Sequence, residues 1–229
     1  MKKIFFNVTA CICAGLLFAG CNKEDDDVVE GGSSPFDGVI VATNIVDAPS
    51  NSQVDVVKAF VRYADDDGEY GYREYEIASA PYKDGGFTLT LPATIPDQYL
   101  YYVGDTFGSP EIIISDMNAK LAAISNKEVD AFKDGNHVGS FAHSYSREEK
   151  PGYLSEGDES VAVIYIYVDR NVSITKTETT TNGTSKIELF LKRGWNIVWE
   201  IEHYAANTSS ESLTTSTGPS SRLKWHYHD

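Results

Sequence analysis

Apolar and polar residues alternate with a period of two along several short stretches of the chain from Phe36 onward. Residues 87–91, 186–192 and 196–204 all show this alternation. Because successive side chains of a β-strand point to opposite faces, the period predicts strands that bury one face. Residues 160–168 are apolar on both faces, which predicts a central strand covered from each side.

Turn residues separate further stretches that are rich in β-branched and aromatic side chains. Asp84-Gly85-Gly86 and Asp134-Gly135-Asn136 tolerate positive φ and predict tight connections between strands. A helix competes only over 116–124, where apolar residues stand at helical offsets. Further strands are predicted at 37–46, 54–63, 71–79, 111–115, 127–133, 137–143, 171–178 and 222–228.

The regular spacing of short strands and turns predicts an all-β fold, an antiparallel β-sandwich. A stretch with Gly and Pro at 104–110 is the best candidate for a division of the body. It would separate an N-terminal β subdomain, 36–105, from a C-terminal β-sandwich subdomain, 106–229. The two parts are either small sandwiches of their own or two halves of one.

The N-terminus has the parts of an export signal. A basic start at Lys2 and Lys3 is followed by the apolar run 4–18, a small pair and Cys21. The stretch 17–21, Leu-Phe-Ala-Gly-Cys, resembles the lipobox of bacterial lipoproteins. That resemblance implies that residues 1–20 are a signal peptide and that Cys21 carries a lipid anchor whose acyl chains include palmitate. The alternative is an ordinary signal peptide with an incidental cysteine.

The segment that follows, residues 21–35, combines charge with flexible Gly and Ser residues. This composition predicts a tether that holds the body away from the membrane through the lipid anchor. A lysine followed by acids also resembles the lipoprotein export signal of Bacteroidota, which implies the outer face of the outer membrane. A solvated linker without a sorting role is the alternative. The residues of the candidate export signal are Lys23, Glu24, Asp25, Asp26 and Asp27.

Charge and cysteine content exclude several functions. The 229 residues include 19 Lys and Arg against 34 Asp and Glu, for a formal charge of −15. We therefore expect no nucleic-acid partner and no general attraction to anionic lipid headgroups. Cleavage before Cys21 would leave that residue as the last of the 3 cysteines, so we expect neither a disulfide nor a cysteine metal site.

Two strand motifs carry a resemblance to a known group of proteins. They are Gly-Gly-Phe-Thr-Leu-Thr-Leu-Pro at 85–92 and Leu-Lys-Arg-Gly-Trp-Asn at 191–196. Together with 54–59, 76–80 and 163–169, they resemble uncharacterised surface lipoproteins of Bacteroidota. The resemblance covers most of the body and implies a surface lipoprotein of β-sandwich type. It brings no known activity and no catalytic residues.

His226 and His228 are the most suggestive pair for metal chemistry. Residues two apart in a strand point the same way, so both imidazoles could bind Zn²⁺ or Ni²⁺. Candidate third ligands for the histidine pair are Asp229, His203 and His143. The alternative is a C-terminal strand whose histidines face water.

Asp65 to Glu69 form a second candidate metal site. They group oxygen ligands on a loop, as Ca²⁺ requires. The alternative is an acidic hairpin tip in solvent.

Aromatic residues offer a platform on which sugar rings could stack. Aromatic side chains are also favoured in strands for packing alone, and core packing is the main alternative for the tryptophans. The tyrosine-rich loop at 63–75 is charged, so we expect some of its rings to be exposed. The platform candidates are Tyr63, Tyr70, Tyr72, Tyr75, Tyr99, Tyr101, Tyr102, Trp195, Trp199 and Trp225.

The chain has no nucleophile elbow, no zincin helix motif and no glycine-rich phosphate loop. We therefore expect no enzyme activity and no cofactor. The sequence favours a non-catalytic outer-membrane surface lipoprotein that binds a glycan, a peptide or an envelope protein. It does not identify the ligand-binding residues. A structural or accessory subunit of an envelope or fimbrial assembly, pairing through a strand edge, is the alternative. A polysaccharide hydrolase is less favoured.

Overall fold

The structure is a computed structural model, and it describes residues 36–64, 72–124, 128–146, 159–181, 183–205, 208–216 and 222–229. The signal peptide, the tether with Cys21 and the export signal, and the acidic loop at 65–69 lie outside these ranges. Their assignments stay predictions. Among the described residues, no helix is long and apolar enough to cross a membrane.

Strands dominate this part of the chain, so the coarse part of the predicted all-β class is confirmed: the fold is mostly β. A 3-10 helix at Asp97–Tyr99 and the short helix α1 at Val103–Phe107 interrupt them. The strands of the first half are β1 (Val39–Ala42), β2 (Val56–Ala64), β3 (Tyr72–Pro81), β4 (Phe87–Thr90), β5 (Tyr101–Tyr102), β6 (Ile113–Ile114) and β7 (Lys120–Ala123). Those of the second half are β8 (Glu128–Lys133), β9 (Asn136–Ser146), β10 (Glu159–Val168), β11 (Val172–Thr180), β12 (Gly183–Leu191), β13 (Gly194–Ala205), β14 (Thr208–Thr214) and β15 (Lys224–His228).

The strands form one small and one large sheet. β1 and β4 pair in a two-stranded antiparallel sheet. The large sheet is mixed but mainly antiparallel, with β12 and β14 as its parallel pair among the described strands. Its main path runs β3-β2-β8-β9-β10-β13-β14-β12-β11-β6; β15 pairs with β9, β7 with β10, and β5 with β7.

β10 is buried on both faces, as its sequence predicts. Val163, Tyr165 and Tyr167 belong to a first hydrophobic core, whereas Ile166 and Val168 belong to a second. The strand pairs in continuous antiparallel register with β13 over its whole length. Two cores therefore share one pair of strands, and each core holds an opposite face of that pair.

The first core joins the small sheet to the large one. Phe141 of β9 is fully buried at its centre, with ring centroids 5.5 Å from Tyr82 and 5.2 Å from Phe87. The indole N–H of buried Trp225 donates to the carbonyl of Val41 at 3.2 Å. Such a partner is needed when an indole leaves water. This core includes residues from both 36–105 and 106–229, and the predicted division between these parts stays a prediction.

β12 and β13 are connected by a short turn, yet β14 lies between them. It runs parallel to β12 and antiparallel to β13. Buried Asn196 bridges the point where the two strands separate. Its side-chain amide donates to the carbonyls of Lys192 at 2.8 Å and Gly194 at 3.0 Å, and its side-chain carbonyl accepts from the Lys192 N–H at 2.9 Å. These bonds satisfy backbone groups that the separating strands would leave unpaired.

The predicted turns are confirmed by backbone conformation. Asp84 and Gly85 have φ of 53° and 77°, and Asp134 and Gly135 have φ of 50° and 81°. Two successive residues with positive φ match the twist of antiparallel strands, and the second turn joins β8 directly to β9. Asp and Gly are suited to these positions because both tolerate the left-handed region.

The structure departs from the sequence-based expectations at three places. The helical offsets over 116–124 do not form a helix; β7 lies there instead and buries Leu121 and Ala122 by pairing with β10. The short helix is α1, which the sequence did not indicate. β14 was also missed, because Thr208–Thr214 is almost wholly polar and has no apolar alternation. Pairing on both of its edges makes it a strand.

The turn bridge gives a stability prediction. Asn196→Ala should lower the free energy of unfolding by about 2–4 kcal/mol, because it leaves several backbone groups without partners in a partly buried turn. Urea denaturation measures the loss. Asn171→Ala is the matched control: within the described residues, the exposed Asn171 side chain makes a single bond, accepting from the Arg193 N–H at 2.9 Å. Its cost should stay below about 1 kcal/mol, and equal costs would contradict the bridging role.

Candidate functional site

Three of the aromatic candidates meet in a tyrosine cluster formed by Tyr63, Tyr75 and Tyr99. The Tyr99 ring stacks on Tyr75 with centroids 3.9 Å apart and meets Tyr63 edge-on at 4.8 Å. Both neighbours pack against Tyr99, so much of the ring surface in the cluster is used by contacts between its own members and not by a ligand. Tyr70 and the side chain of Tyr72 lie outside the described part of the chain.

The other two tyrosines lie on β5, beside β7. Tyr102 is 46% exposed, and the Nζ of Lys120 lies 5.0 Å from its ring centroid. The same ammonium contacts Asp97 at 2.6 Å, and this hydrogen bond raises the pKa of Lys120. Tyr101 is half-buried and pairs with Leu121. One exposed ring with a cation beside it offers too little area to serve alone as a binding platform for a sugar polymer.

The tryptophans divide between the core and its border. Trp195 and Trp225 are buried, and the indole N–H of Trp195 donates to the carbonyl of Pro92 at 2.8 Å. Neither ring is open to a ligand. Trp199 is half-buried: it packs against the first core from β13 and has Thr214 of β14 as its register partner.

The histidine pair lies on one face of β15, as predicted. The ring centroids of His226 and His228 are 6.4 Å apart. His143 points to the other face, where it stacks on Trp225 at 4.7 Å, and the Nδ1 of His203 lies 3.4 Å from Glu159 instead. Within the described ranges, no three His, Cys, Asp or Glu side chains are grouped closely enough to hold a metal ion. The two-residue metal site stays a prediction.

Polar side chains that the sequence analysis did not single out form a broader surface on β11, β12 and β14. Thr175, Thr177 and Thr179 alternate along β11 with Lys176 and Glu178, so their hydroxyls share one face. Strand register continues this face onto the next two strands. We name it the hydroxyl face; its residues are Thr175, Thr177, Thr179, Thr184, Ser210 and Ser212.

The register arranges these hydroxyls in rows across the strands. Thr179 opposes Thr184, Thr184 opposes Ser210, and Ser210 opposes His203. The oxygens of Thr179 and Thr184 are 3.4 Å apart. An open depression of about 300 Å³ lies at this end of the strands and includes this row in its lining.

The hydroxyl face is accessible to solvent. Thr177 and Thr179 are exposed, and the other four residues are half-buried. Within the described chain, the hydroxyls of Thr175, Thr177, Ser210 and Ser212 have no hydrogen-bond partner. Trp199 borders the face on its β13 side. The surface therefore combines hydroxyl groups and the Lys186–Glu188 ion pair between them with one aromatic ring at its border.

The reverse side of the same strands has a different character. Ile187 and Leu213 pack there against the second core. Beyond them the register places Glu178, Glu211 and Glu202 in one row. A hydrogen bond to Glu202, together with burial and the surrounding carboxylates, raises the pKa of Tyr204 to about 12. A row of three glutamates thus lies on the side away from the hydroxyl face.

Comparison of the chain with protein-family models, with curated proteins and with solved structures finds no match. One signal for the hydroxyl face was present in the sequence, since Thr-Lys-Thr-Glu-Thr at 175–179 alternates hydroxyl and charged residues in a predicted strand. The contribution of β14 had no such signal.

His143 gives a prediction on pH and stability. Burial lowers its pKa to about 4, with a smaller effect from His226, and its Nδ1 has no partner within the described chain. An unfolded histidine has a pKa of about 6.5, so below that pH the unfolded state takes up the proton first and stability falls. We expect this group to contribute a loss of about 1–3 kcal/mol between pH 6.5 and pH 4.

Urea denaturation of wild type and His143→Phe over this pH range measures the contribution. Phenylalanine keeps a flat ring against Trp225 but cannot be protonated. The variant should lose part of the pH dependence and keep the part due to His226, whose pKa is also lowered by burial. Identical pH profiles for the two proteins would contradict the burial of a neutral imidazole.

Proposed function

We propose that the chain is a non-catalytic, lipid-anchored lipoprotein of the outer cell surface, whose body binds a glycan on the hydroxyl face. The observation that carries the binding role is the set of six hydroxyls on three adjacent strands beside the half-buried ring of Trp199. The body is a β-sandwich in this proposal. A first core that joins a small sheet to a large one supports that arrangement.

Hydroxyl side chains suit a sugar ligand because each one can both donate and accept a hydrogen bond. A sugar offers the same groups in return. Thr and Ser on a paired strand also lose little freedom on binding, since the backbone is fixed and the side chains are short. Trp199 adds an apolar ring on which a sugar face can stack.

The location is supported by the N-terminal sequence alone. The lipobox-like stretch that ends at Cys21 would fix the chain to a membrane leaflet, and the charged residues Lys23 to Asp27 would direct it to the outer face. A binding body held outside the cell by a flexible tether is suited to polymers that cannot enter. The absence of recognisable catalytic motifs in the sequence supports a binding role without chemistry.

The alternative, a subunit that pairs through a strand edge, has one observation in its favour. β3 is ten residues long and is a terminal strand of the main path of the large sheet. However, its outward side chains include Glu74 and Glu76, which contact Arg62 and Lys58 of β2. Charged side chains on an edge strand disfavour pairing with another chain. The hydroxyl face therefore carries the stronger proposal.

Glycan binding is tested by native electrophoresis of the full chain, in mild detergent, through gels that contain single polysaccharides. At least one polysaccharide should retard the wild type. The double variant Thr177→Val and Ser212→Ala removes two free hydroxyls with little change of shape. It should weaken that binding roughly tenfold, because each lost hydrogen bond is worth about 0.5–1.5 kcal/mol.

Thr88→Val is the matched control for this substitution. Thr88 is an exposed strand threonine on β4, in the two-stranded sheet, and its loss should leave retardation unchanged. Equal effects of the two sets of changes would remove the hydroxyl face from the proposal. Retardation of the wild type by none of the polysaccharides would contradict glycan binding as a whole.

Anchoring and surface display are tested together in intact cells. Wild type should incorporate labelled palmitate and lose its body to added protease. Cys21→Ser should not be labelled, because it lacks the lipidated sulfur. Replacing Lys23 to Asp27 by alanine should keep the label but protect the body. Equal protease sensitivity of the labelled proteins would make the charged block a plain linker, and resistance of wild type would place the body in the periplasm.

A further inference from the structure

Lys186, Glu188 and Glu159 are charged side chains on the same side as the hydroxyl face, and each lies near a group of opposite charge. The Nζ of Lys186 lies 2.8 Å from Glu188. Glu159, at the border of the face, lies 3.4 Å from His203 and 3.9 Å from Arg222. A ligand that covers the hydroxyl face therefore meets hydroxyls together with the paired charges of Lys186 and Glu188.

The surroundings of the face disfavour an anionic ligand. The whole chain has a formal charge of −15, and the reverse side of the same strands carries a row of three glutamates. Lys176, the basic residue of β11, points to that reverse side and contacts Glu178 at 2.7 Å. An anionic polymer would be repelled by the field of the chain, and the cations described at the hydroxyl face and its border, Lys186 and Arg222, are already paired with glutamates.

The layout of the hydroxyls fits an extended ligand. Neighbouring strands lie about 4.8 Å apart, and alternate residues of one strand are separated by about 6.7 Å. The six hydroxyls therefore spread over an area of several sugar rings. A site for a single sugar would instead bring its polar groups together around one enclosed ring.

We infer that the hydroxyl face selects a neutral, extended polysaccharide over polysaccharides that bear carboxylate or sulfate groups. This inference rests on the proposed function. The selecting element is the Lys186–Glu188 ion pair. Lys186 lies between Thr177 and Ser212 in the strand register, at the centre of the face, and Glu188 neutralises it. Glu188 thus acts as a specificity-determining residue by keeping a central cation paired.

The experiment compares full-length wild type with Glu188→Gln in native affinity gels. The probes are two neutral polysaccharides, arabinoxylan and galactomannan, and one anionic polysaccharide, polygalacturonate. Each gel is run at low and at high salt. Wild type should be retarded by a neutral polymer independently of salt and should pass polygalacturonate freely. Glu188→Gln should gain roughly two- to fivefold in binding polygalacturonate at low salt, and high salt should abolish the gain.

Thermal unfolding of both proteins confirms that the substitution leaves the fold intact, as expected for a side chain that is 41% exposed. Lys186→Gln in the Glu188→Gln background should abolish the gain. Stronger binding of wild type to polygalacturonate than to neutral polymers, lost in the Thr177→Val and Ser212→Ala variant, would overturn this inference while leaving glycan binding on the face intact. Lack of any new binding by Glu188→Gln would overturn the role of the ion pair. Failure of all three polymers to bind would count against the proposed function itself.

Discussion

The pairing of β10 with β13 is the constraint on which the rest of the structure depends. Ten successive residues of β10 are matched to β13 without a break, and alternate residues of β10 enter the two cores. Loss of register by one residue would exchange the side chains of both cores at once, because the side-chain period of a strand is two. The same register fixes Trp199 of β13 at the border of the first core. It also sets the position of β14, because β14 pairs with the other edge of β13.

The hydroxyl face is a consequence of this arrangement. On the outer half of the large sheet, one side of β11, β12 and β14 packs against the second core with Ile187 and Leu213. That packing fixes which residues point the other way, so the hydroxyls are held in place by apolar contacts on the reverse side. The surface is therefore organised by burial elsewhere, and its own residues contribute few contacts to one another.

The sequence predicted the mostly-β class and most strands because their signals are local. β10 is apolar at both parities, and the turns at Asp84 and Asp134 contain residues suited to positive φ. β14 could not be predicted, since its polar sequence becomes a strand only through partners on both edges. The sequence showed the members of the tyrosine cluster in two separate stretches, 63–75 and 99–102, and did not show that they contact each other. For the candidate site, the alternation of hydroxyl and charged residues in β11 could be recognised in the sequence. The continuation of the hydroxyl face to Ser210 and Ser212 could not, because it depends on the parallel pairing of β12 with β14, which no local pattern encodes.

The position of β14 between β12 and β13 has a consequence for biosynthesis. β12 and β13 leave the ribosome first, joined by a short turn, and would ordinarily close on each other as a hairpin. In the native sheet each of them pairs instead with β14, which follows later in the chain. Asn196 bonds to the turn residues and can hold the two strands apart at that end. The native sheet therefore cannot be completed until residue 214 is available, and a β12–β13 hairpin that closed earlier would have to open before β14 could insert.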